Sequence, residues 1–299
     1  MFKSGFVTVI GRPNAGKSTF VNGVLGQKIA ITSDKPQTTR NNISGIHTTE
    51  ESQIIFIDTP GIHKPHHKLG AFMTKEAINT MRSVDLILFM VDATKKFGPG
   101  DEFIIEELKK QKNPVFLILN KVDIITDIVP MKENVDKYKA AFNFKGIFSV
   151  SALRGDHIDK LLVDIANELE EGPLYYPADQ KTDHPERFII GELIREKVLR
   201  LTKEEIPHSV MCLIEYMKYD DVNPHILNIH ASIIVERPSQ KGIIIGKGGS
   251  MIKEIGTLAR RDILNLLGTK IYLDLHCKVE KDWRNKEKHL RNFGYTEEV

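Results

Sequence analysis

Cysteine and unbroken apolar stretches are both scarce in this sequence, and each scarcity excludes something. Two cysteines in 299 residues cannot make a disulfide scaffold. Cys212 and Cys277 both fall in segments that read as strands, where reduced core thiols are expected. No apolar run approaches the roughly 18 residues that a membrane-spanning helix needs. The amino terminus, with Lys3 ahead of a short apolar run at 7–10, is too short for a signal peptide. It leads directly into a glycine-containing motif and reads as the first buried strand of a cytoplasmic protein. Charge of one sign is lacking too: the net charge is +2, and residues 1–171 carry 22 Lys and Arg against 21 Asp and Glu. General affinity for polyanions is therefore not expected. What remains, 41% hydrophobic and 27% charged residues, suits a globular chain long enough for two domains.

The first half alternates short apolar runs with helical stretches. Strands are predicted at 6–10, 54–57, 86–91, 115–119 and 146–150, and helices at 17–25, 70–82, 101–111, 131–141 and 156–171. Such alternation predicts an α/β domain over 1–171, a mostly parallel sheet covered by helices on both faces. Residues 42–49 read as an edge strand returning antiparallel to 54–57. Residues 172–186 contain Pro173, Pro177 and Pro185 without apolar periodicity and read as a linker. Residues 187–299 then predict a small α+β domain: a helix at 187–202, strands at 209–216 and 228–236, a glycine cluster, a helix at 251–267 and a strand at 270–278.

The first cluster that carries chemistry is Gly11-Arg12-Pro13-Asn14-Ala15-Gly16-Lys17-Ser18, followed by Thr19. It fits the phosphate-binding pattern G-x-x-x-x-G-K-[ST] and lies between a strand and a helix, where backbone N–H groups can cradle phosphates. Lys17 would reach the β and γ oxygens, and Ser18 would ligate Mg²⁺. Asp58-Thr59-Pro60-Gly61 is a weak pattern alone, but it ends a predicted strand downstream of the loop. There Asp58 can hold Mg²⁺ through water, and the Gly61 N–H can sense a γ-phosphate. In Asn120-Lys121-Val122-Asp123 the Asp123 carboxylate can accept two hydrogen bonds from guanine, which adenine does not offer. Ser151-Ala152-Leu153, after the last strand, can offer backbone N–H to the guanine oxygen.

These segments, in this order, resemble small translation-factor-related GTPases with a Ras-like fold. Pro36-Gln37-Thr38-Thr39-Arg40 and Asp58-Thr59-Pro60-Gly61-Ile62 narrow the resemblance to the Era family. Within it Thr39 matches the switch threonine that ligates Mg²⁺, with Thr38 as the alternative, and Lys17, Thr39 and Gly61 become the residues that act on the γ-phosphate. Where Ras-type proteins carry a water-orienting glutamine, this chain has Ile62, so slow intrinsic hydrolysis is expected. His63, His66 and His67 read as solvated loop residues. Asn14 resembles the asparagine by which some related GTPases hold K⁺.

Residues 237–261 contain six basic residues and one acid. Inside this stretch Gly246-Lys247-Gly248-Gly249 fits G-x-x-G, the loop by which KH domains grip a nucleic-acid backbone. The same string occurs at Gly23-Val24-Leu25-Gly26, so context decides: the second follows an apolar run at 242–245, opens a helix, and is flanked by Lys241 and Lys253. The element order, with Glu204-Glu205-Ile206-Pro207-His208-Ser209-Val210, resembles the type II KH-like domain that ends Era proteins. The resemblance implies a monomeric GTPase that binds GTP and GDP with Mg²⁺. It further implies binding of single-stranded 16S rRNA near its 3′ end and a role in small (30S) subunit assembly. The basic tail at 278–291 reads as a solvated helix, with a weak peripheral contact to the cytoplasmic face of the membrane implied by the family. Two other readings stay open: a constitutive RNA-binding protein whose nucleotide site is structural, and a membrane-associated nucleotide switch.

Overall fold

The computed structural model describes residues 1–65 and 67–295. The chain forms two compact units, one made of Met1–Ala30, Thr39–His66 and Gly70–Asp183, the other of Ile31–Thr38, His67–Leu69 and the chain from His184 onward.

The first unit is built on strands β1 (Lys3–Ile10), β2 (Ile43–Thr48), β3 (Ser52–Asp58), β4 (Leu86–Asp92), β5 (Val115–Asn120) and β6 (Gly146–Val150). They lie in the order β2-β3-β1-β4-β5-β6, and only β2 runs antiparallel to its neighbour. All six residues of β5 and all but Asp92 of β4 are buried, which is why their sequences are continuous apolar runs instead of alternating ones. Helices α1 (Lys17–Leu25), α2 (Lys68–Thr80), α3 (Pro99–Leu108), α4 (Ile128–Ala141) and α5 (Ile158–Glu168) connect the strands. Helix α3 starts two residues earlier than predicted, because Pro99 suits the first helical position and Asp101 accepts the Gly98 N–H at 3.1 Å. Helix α4 starts three residues early for a similar reason, its cap Asp127 accepting the Val129 N–H at 2.9 Å. The strand order reverses beside β1, so the crevice beyond its carboxyl end is where such sheets bind ligands.

The segment expected to be a linker is pinned over its first part. Gln53, fully buried in β3, accepts the N–H groups of Tyr175 and Tyr176 at 2.8 and 3.0 Å and donates to Tyr176 O at 2.8 Å. Lys181 O accepts the Ile46 N–H at 2.8 Å, so the outer edge of β2 is partly covered. A segment without periodicity is ordered here by one amide side chain that satisfies its backbone.

The second unit contains α6 (Glu186–Leu201), α7 (Ile206–Ser209), β7 (Met211–Tyr219), β8 (Ile226–Val235), α8 (Pro238–Ile245), α9 (Ser250–Leu267), β9 (Lys270–Val279) and α10 (Glu287–Asn292). Its sheet has the order β7-β8-β9, antiparallel then parallel. Leu193, Ile194 and Val198 of α6, Ile244 of α8, and Ile255, Ala259 and Ile263 of α9 share one core with Ile229 and Ile233 of β8. The apolar run at 242–245 is the second half of α8. Gln240 fixes the start of that helix by accepting the Glu236 and Arg237 N–H groups at 2.9 and 3.1 Å. Cys212 and Cys277 both pair with Ile233, one on each side of β8. Two strand spacings put them roughly 9.5 Å apart, beyond the roughly 7 Å a disulfide can bridge. They are free thiols, and burial pushes Cys277 up to about 11. Among the described residues no helix is long and apolar enough to cross a membrane.

The tail departs from the solvated helix expected of it. Strand β9 runs to Val279, a tight turn covers Trp283–Asn285, and only then does the short α10 begin. Trp283 is fully buried, donates its indole N–H to Ser209 O at 2.9 Å, and packs edge-on against Phe293 with ring centres 5.5 Å apart. Arg284 pairs with Glu236 at 2.6 Å. One tryptophan among charged residues is invisible to a periodicity argument, yet it anchors the chain after β9 to Ser209. Trp283→Ala should therefore destabilise the second unit by about 3–5 kcal/mol. A urea melt followed by far-UV circular dichroism should show an earlier transition for that unit, with nucleotide binding retained.

Candidate nucleotide and RNA sites

The loop after β1 turns back through residues that only glycine tolerates well. Gly11 (φ 155°) lies so close to β4 that a Cβ would sit 2.2 Å from Met90 O. At Gly16 (φ 101°) a Cβ would sit 2.1 Å from Asn120 Nδ2. Asn120 explains this crowding: its amide donates to Ala15 O at 2.8 Å, and its Oδ1 accepts the Ala152 N–H at 2.9 Å. The side chain thus ties the loop after β1 to the loop after β6. Sequence reasoning placed Asn120 against the base and missed this tether.

Lys17 is buried, with Nζ donating to Gly11 O and Arg12 O at 3.3 and 3.2 Å. Burial lowers its pKa, an effect that Asp58 partly opposes. Arg12 extends to Asp101 at 3.1 Å, while Pro13 lies against Gly61, where a Cβ would meet Pro13 N at 2.9 Å. Ile62 donates its N–H to Gly11 O at 3.1 Å and points its side chain into the core. Thr59 likewise faces inward, its hydroxyl donating to Val9 O at 2.8 Å. Asn14 (φ 65°) and Thr19 complete the loop and the first turn of α1.

Ser18, Thr39 and Asp58 meet. Ser18 Oγ lies 2.9 Å from Thr39 Oγ1 and donates to Asp58 Oδ2 at 2.5 Å, and Thr39 Oγ1 donates to the same oxygen at 3.4 Å. Thr38, the alternative switch threonine, instead spends its hydroxyl on Lys35 O at 2.6 Å. Burial raises the Asp58 pKa to about 6, against the pull of Lys17, Ser18 and Thr39. Its Oδ1 is buried without a hydrogen-bond partner. An orphaned carboxylate oxygen beside two hydroxyls suits a hard cation. Octahedral ligands at 2.0–2.1 Å stand about 2.9 Å apart, the spacing observed between Ser18 and Thr39. The residues present therefore fit Mg²⁺.

Beyond β5, Lys121 (φ 69°) donates to Asp92 at 2.7 Å, a partner that sequence reasoning did not name. Burial raises the Asp92 pKa, but the bonds from Lys121 and Thr94 outweigh it and leave a depressed value. Val122 opens a short turn, and Asp123 holds an almost buried carboxylate 3.8 Å from Arg154 Nε. Ser151 and Ala152 are buried, while Leu153 is 80% exposed. Of the histidines, His63 has Nδ1 3.2 Å from Lys64 O, His67 belongs to the second unit, and His66 lies outside the described residues.

In the second unit Gly246, Gly248 and Gly249 all have positive φ (73°, 60° and 81°), and Gly249 caps α9. At Gly246 a Cβ would collide with Met251 N at 2.8 Å, whereas at Gly248 and Gly249 nothing lies within 4 Å. The loop therefore presents bare backbone. Lys247 and Lys253 are exposed, and Lys241 is half-buried on α8. The competing string at Gly23-Val24-Leu25-Gly26 is the end of α1, with Gly26 (φ 63°) as its cap.

Known proteins agree with both halves. Residues 6–121 match the 50S ribosome-binding GTPase family and residues 205–284 match the KH domain family. A crystal structure of an Aquifex aeolicus Era variant bound to GDP·AlF₄⁻ is 40% identical, covers 99% of this chain and 100% of that one, and has a TM-score of 0.94. A structure of Era with MgGDPNP and nucleotides 1506–1542 of 16S ribosomal RNA matches with the same identity, coverage and TM-score. That identity extends over nearly the whole length, with a six-stranded α/β GTPase sheet followed by a three-stranded KH domain, and the chain therefore belongs to the Era family of GTPases.

Proposed function

We propose that this protein hydrolyses GTP with Mg²⁺ and binds single-stranded RNA of the small ribosomal subunit, near the 3′ end of 16S rRNA, in the course of subunit assembly. The observation that carries the nucleotide half is the meeting of Ser18, Thr39 and Asp58 beside buried Lys17. Ser18 and Thr39 would ligate the ion directly and Asp58 through water. Bound there, Mg²⁺ supplies charge stabilisation to the phosphates. Lys17 and the backbone N–H groups of the loop 11–19, Pro13 having none, would hold the phosphates, and the Gly61 N–H is assigned to the γ-phosphate. Thr59, Pro60 and Ile62 shape that loop from behind. With its side chain in the core, Ile62 cannot orient water, which supports a slow intrinsic rate. The complex of a relative with MgGDPNP and 16S rRNA supports the RNA half.

Guanine selection is assigned to Asp123, with Lys121 and Val122 framing the base, Asn120 holding the pocket together, and Ser151, Ala152 and Leu153 offering backbone. In Asp123→Asn the double acceptor becomes an amide suited to xanthine. Affinity for XTP should then exceed affinity for GTP in equilibrium binding; unchanged GTP affinity would misplace the pocket.

Asn14, exposed on the phosphate loop, is assigned to holding K⁺ beside the phosphates. Turnover should be faster in K⁺ than in Na⁺ at matched ionic strength, and equal rates would remove this role.

On the RNA side, Gly246, Lys247, Gly248 and Gly249 are assigned to the phosphate backbone, with Lys241 and Lys253 flanking. Replacing Lys247 and Gly248 together with Asp changes the loop by three charge units and adds a Cβ where φ is 60°. RNA affinity should fall at least tenfold and fall across sequences, because backbone contacts do not read bases. GTP affinity and RNA-free hydrolysis should stay within twofold. Filter binding beside a GTPase assay measures both, and undiminished RNA binding would reduce the loop to a turn.

A further inference from the structure

The sheet of the second unit has one face in the core and one toward solvent. Cys212, Ile229, Ile233, Leu273 and Cys277 join the core beneath the helices. Side chains alternate along a strand, so the residues between them point outward. The register sets these outward residues in rows across β7, β8 and β9. One row is Tyr216, His230 and Asp274, and the row beside it is Lys218, Asn228 and Tyr272. Neither row holds an aliphatic side chain, and charge stands at the centre, where protein interfaces are depleted of it.

The rings on this face are open. Tyr216 is 45% exposed and Tyr272 54%. Tyr216 and His230 meet edge to face with centres 5.4 Å apart, which leaves each ring a face to offer. Asp274 Oδ2 lies 3.2 Å from His230 Nδ1 and 3.0 Å from His276 Nε2, so one carboxylate holds two imidazoles in place. Rings held this way lose little freedom when another ring stacks on them. Lys218, Lys270 and Lys278 stand around them, all exposed. Lys218 pairs with Asp221 at 2.7 Å and Lys278 with Glu215, but exposed pairs of this kind are weak and a phosphate can replace them.

This face lies within reach of the G-x-x-G loop. Only Gly268 and Thr269 join α9 to β9, so the helix runs back beside its strand, and its first turn lies toward the strand's far end. That end carries His276 and Lys278. Burial raises the Cys277 pKa and Lys241 opposes the rise, so the cation ahead of the loop stands near β9 at this residue. A chain gripped at the loop has only to round β9, an edge strand of the sheet, to meet the open rings. A KH loop clamps about four nucleotides, whereas the RNA in the complex of the Era relative spans nucleotides 1506–1542. We propose that the solvent face of this sheet is a second surface for single-stranded RNA: bases stack on Tyr216, Tyr272 and His276, and phosphates follow Lys270 and Lys278. The proposal rests on the RNA-binding reading above. Stacking accepts any base, so this surface adds grip and length to the site without adding sequence preference.

Two single-stranded RNAs matching the 3′ end of 16S rRNA test this, one of about six nucleotides, enough for the loop, and one of about twenty. The parent should bind the longer RNA at least about tenfold more tightly. Tyr216→Ala combined with Tyr272→Ala should weaken the longer RNA by about tenfold or more. Affinity for the shorter RNA and for GTP should stay within twofold of the parent's. Tyr216→Phe with Tyr272→Phe keeps both rings and should match the parent on both RNAs, because stacking does not use the hydroxyl. Circular dichroism melts select the variants that fold. In the parent, crosslinks from 4-thiouridine in the longer RNA should map to β7 and β9 as well as to the loop. Crosslinks confined to α8, the loop and α9 overturn the proposal without any variant. A folded alanine variant that keeps the longer RNA, or loses both RNAs alike, overturns it too. A parent that binds both lengths equally overturns it and leaves RNA binding standing, whereas a parent that binds neither removes the RNA reading itself.

Discussion

The nucleotide half of the molecule depends on how closely the loop after β1 can approach the end of β5. Asn120 sets that distance. Asn120 is 2% exposed, and its side chain is bonded at both ends, to Ala15 O and to the Ala152 N–H. Both loops are therefore positioned by one amide, and the space it fills is why residue 16 has no room for a Cβ. Losing the amide would leave a buried carbonyl and a buried N–H unpaired at once, roughly 1–3 kcal/mol each. Geometry for phosphate and geometry for base are one constraint here, not two.

Asp58 is the counterpart in charge. Its pKa of about 6 against an ordinary 3.8 means that the charged carboxylate is disfavoured by its surroundings. The sign follows from linkage: the folded state binds the proton more tightly than the unfolded one. The penalty is therefore fully present above about pH 6 and is relieved as pH falls toward the ordinary value. It amounts to on the order of 3 kcal/mol. A cation bound beside the unpartnered Oδ1 offsets the same penalty without a proton. A cation held there, as proposed above, would draw part of its driving force from relief of that penalty.

The motif residues were legible because each is locally determined: glycines where φ is positive, a lysine inside the loop, an aspartate at a strand end. The mostly parallel sheet was legible because β4 and β5 are buried on both faces. What escaped sequence reasoning is non-local. Gln53 reaches residues more than a hundred positions away, and the 172–183 segment has no order of its own to advertise. Trp283 sits in a run of charges whose composition suggests solvent. The apolar residues 242–245 are too few to separate strand from helix, and Pro238 and Gln240 decide it. That the Thr39 hydroxyl meets Ser18 and Asp58 while the Thr38 hydroxyl turns to Lys35 O is visible only in the side chains.

The two binding loops, on unrelated folds, reach the same local solution. Helix α1 is preceded by Gly16 at φ 101° and α9 by Gly249 at φ 81°, and neither glycine offers a side-chain cap. At α4 the Asp127 side chain accepts from the first turn, and at α3 Asp101 accepts the Gly98 N–H, while α5, α6 and α8 also begin without a side-chain cap. A Ser or Asp at position 16 or 249 would occupy the leading N–H groups and set an oxygen where the proposed phosphate oxygens would come. It would also have to adopt a left-handed backbone that favours glycine. At these two helices the leading donors and the helix-end charge are suited to an anion. A glycine in the cap position costs a helix only a few tenths of a kcal/mol relative to a capping side chain, and at α1 and α9 that glycine ends a loop assigned to phosphate.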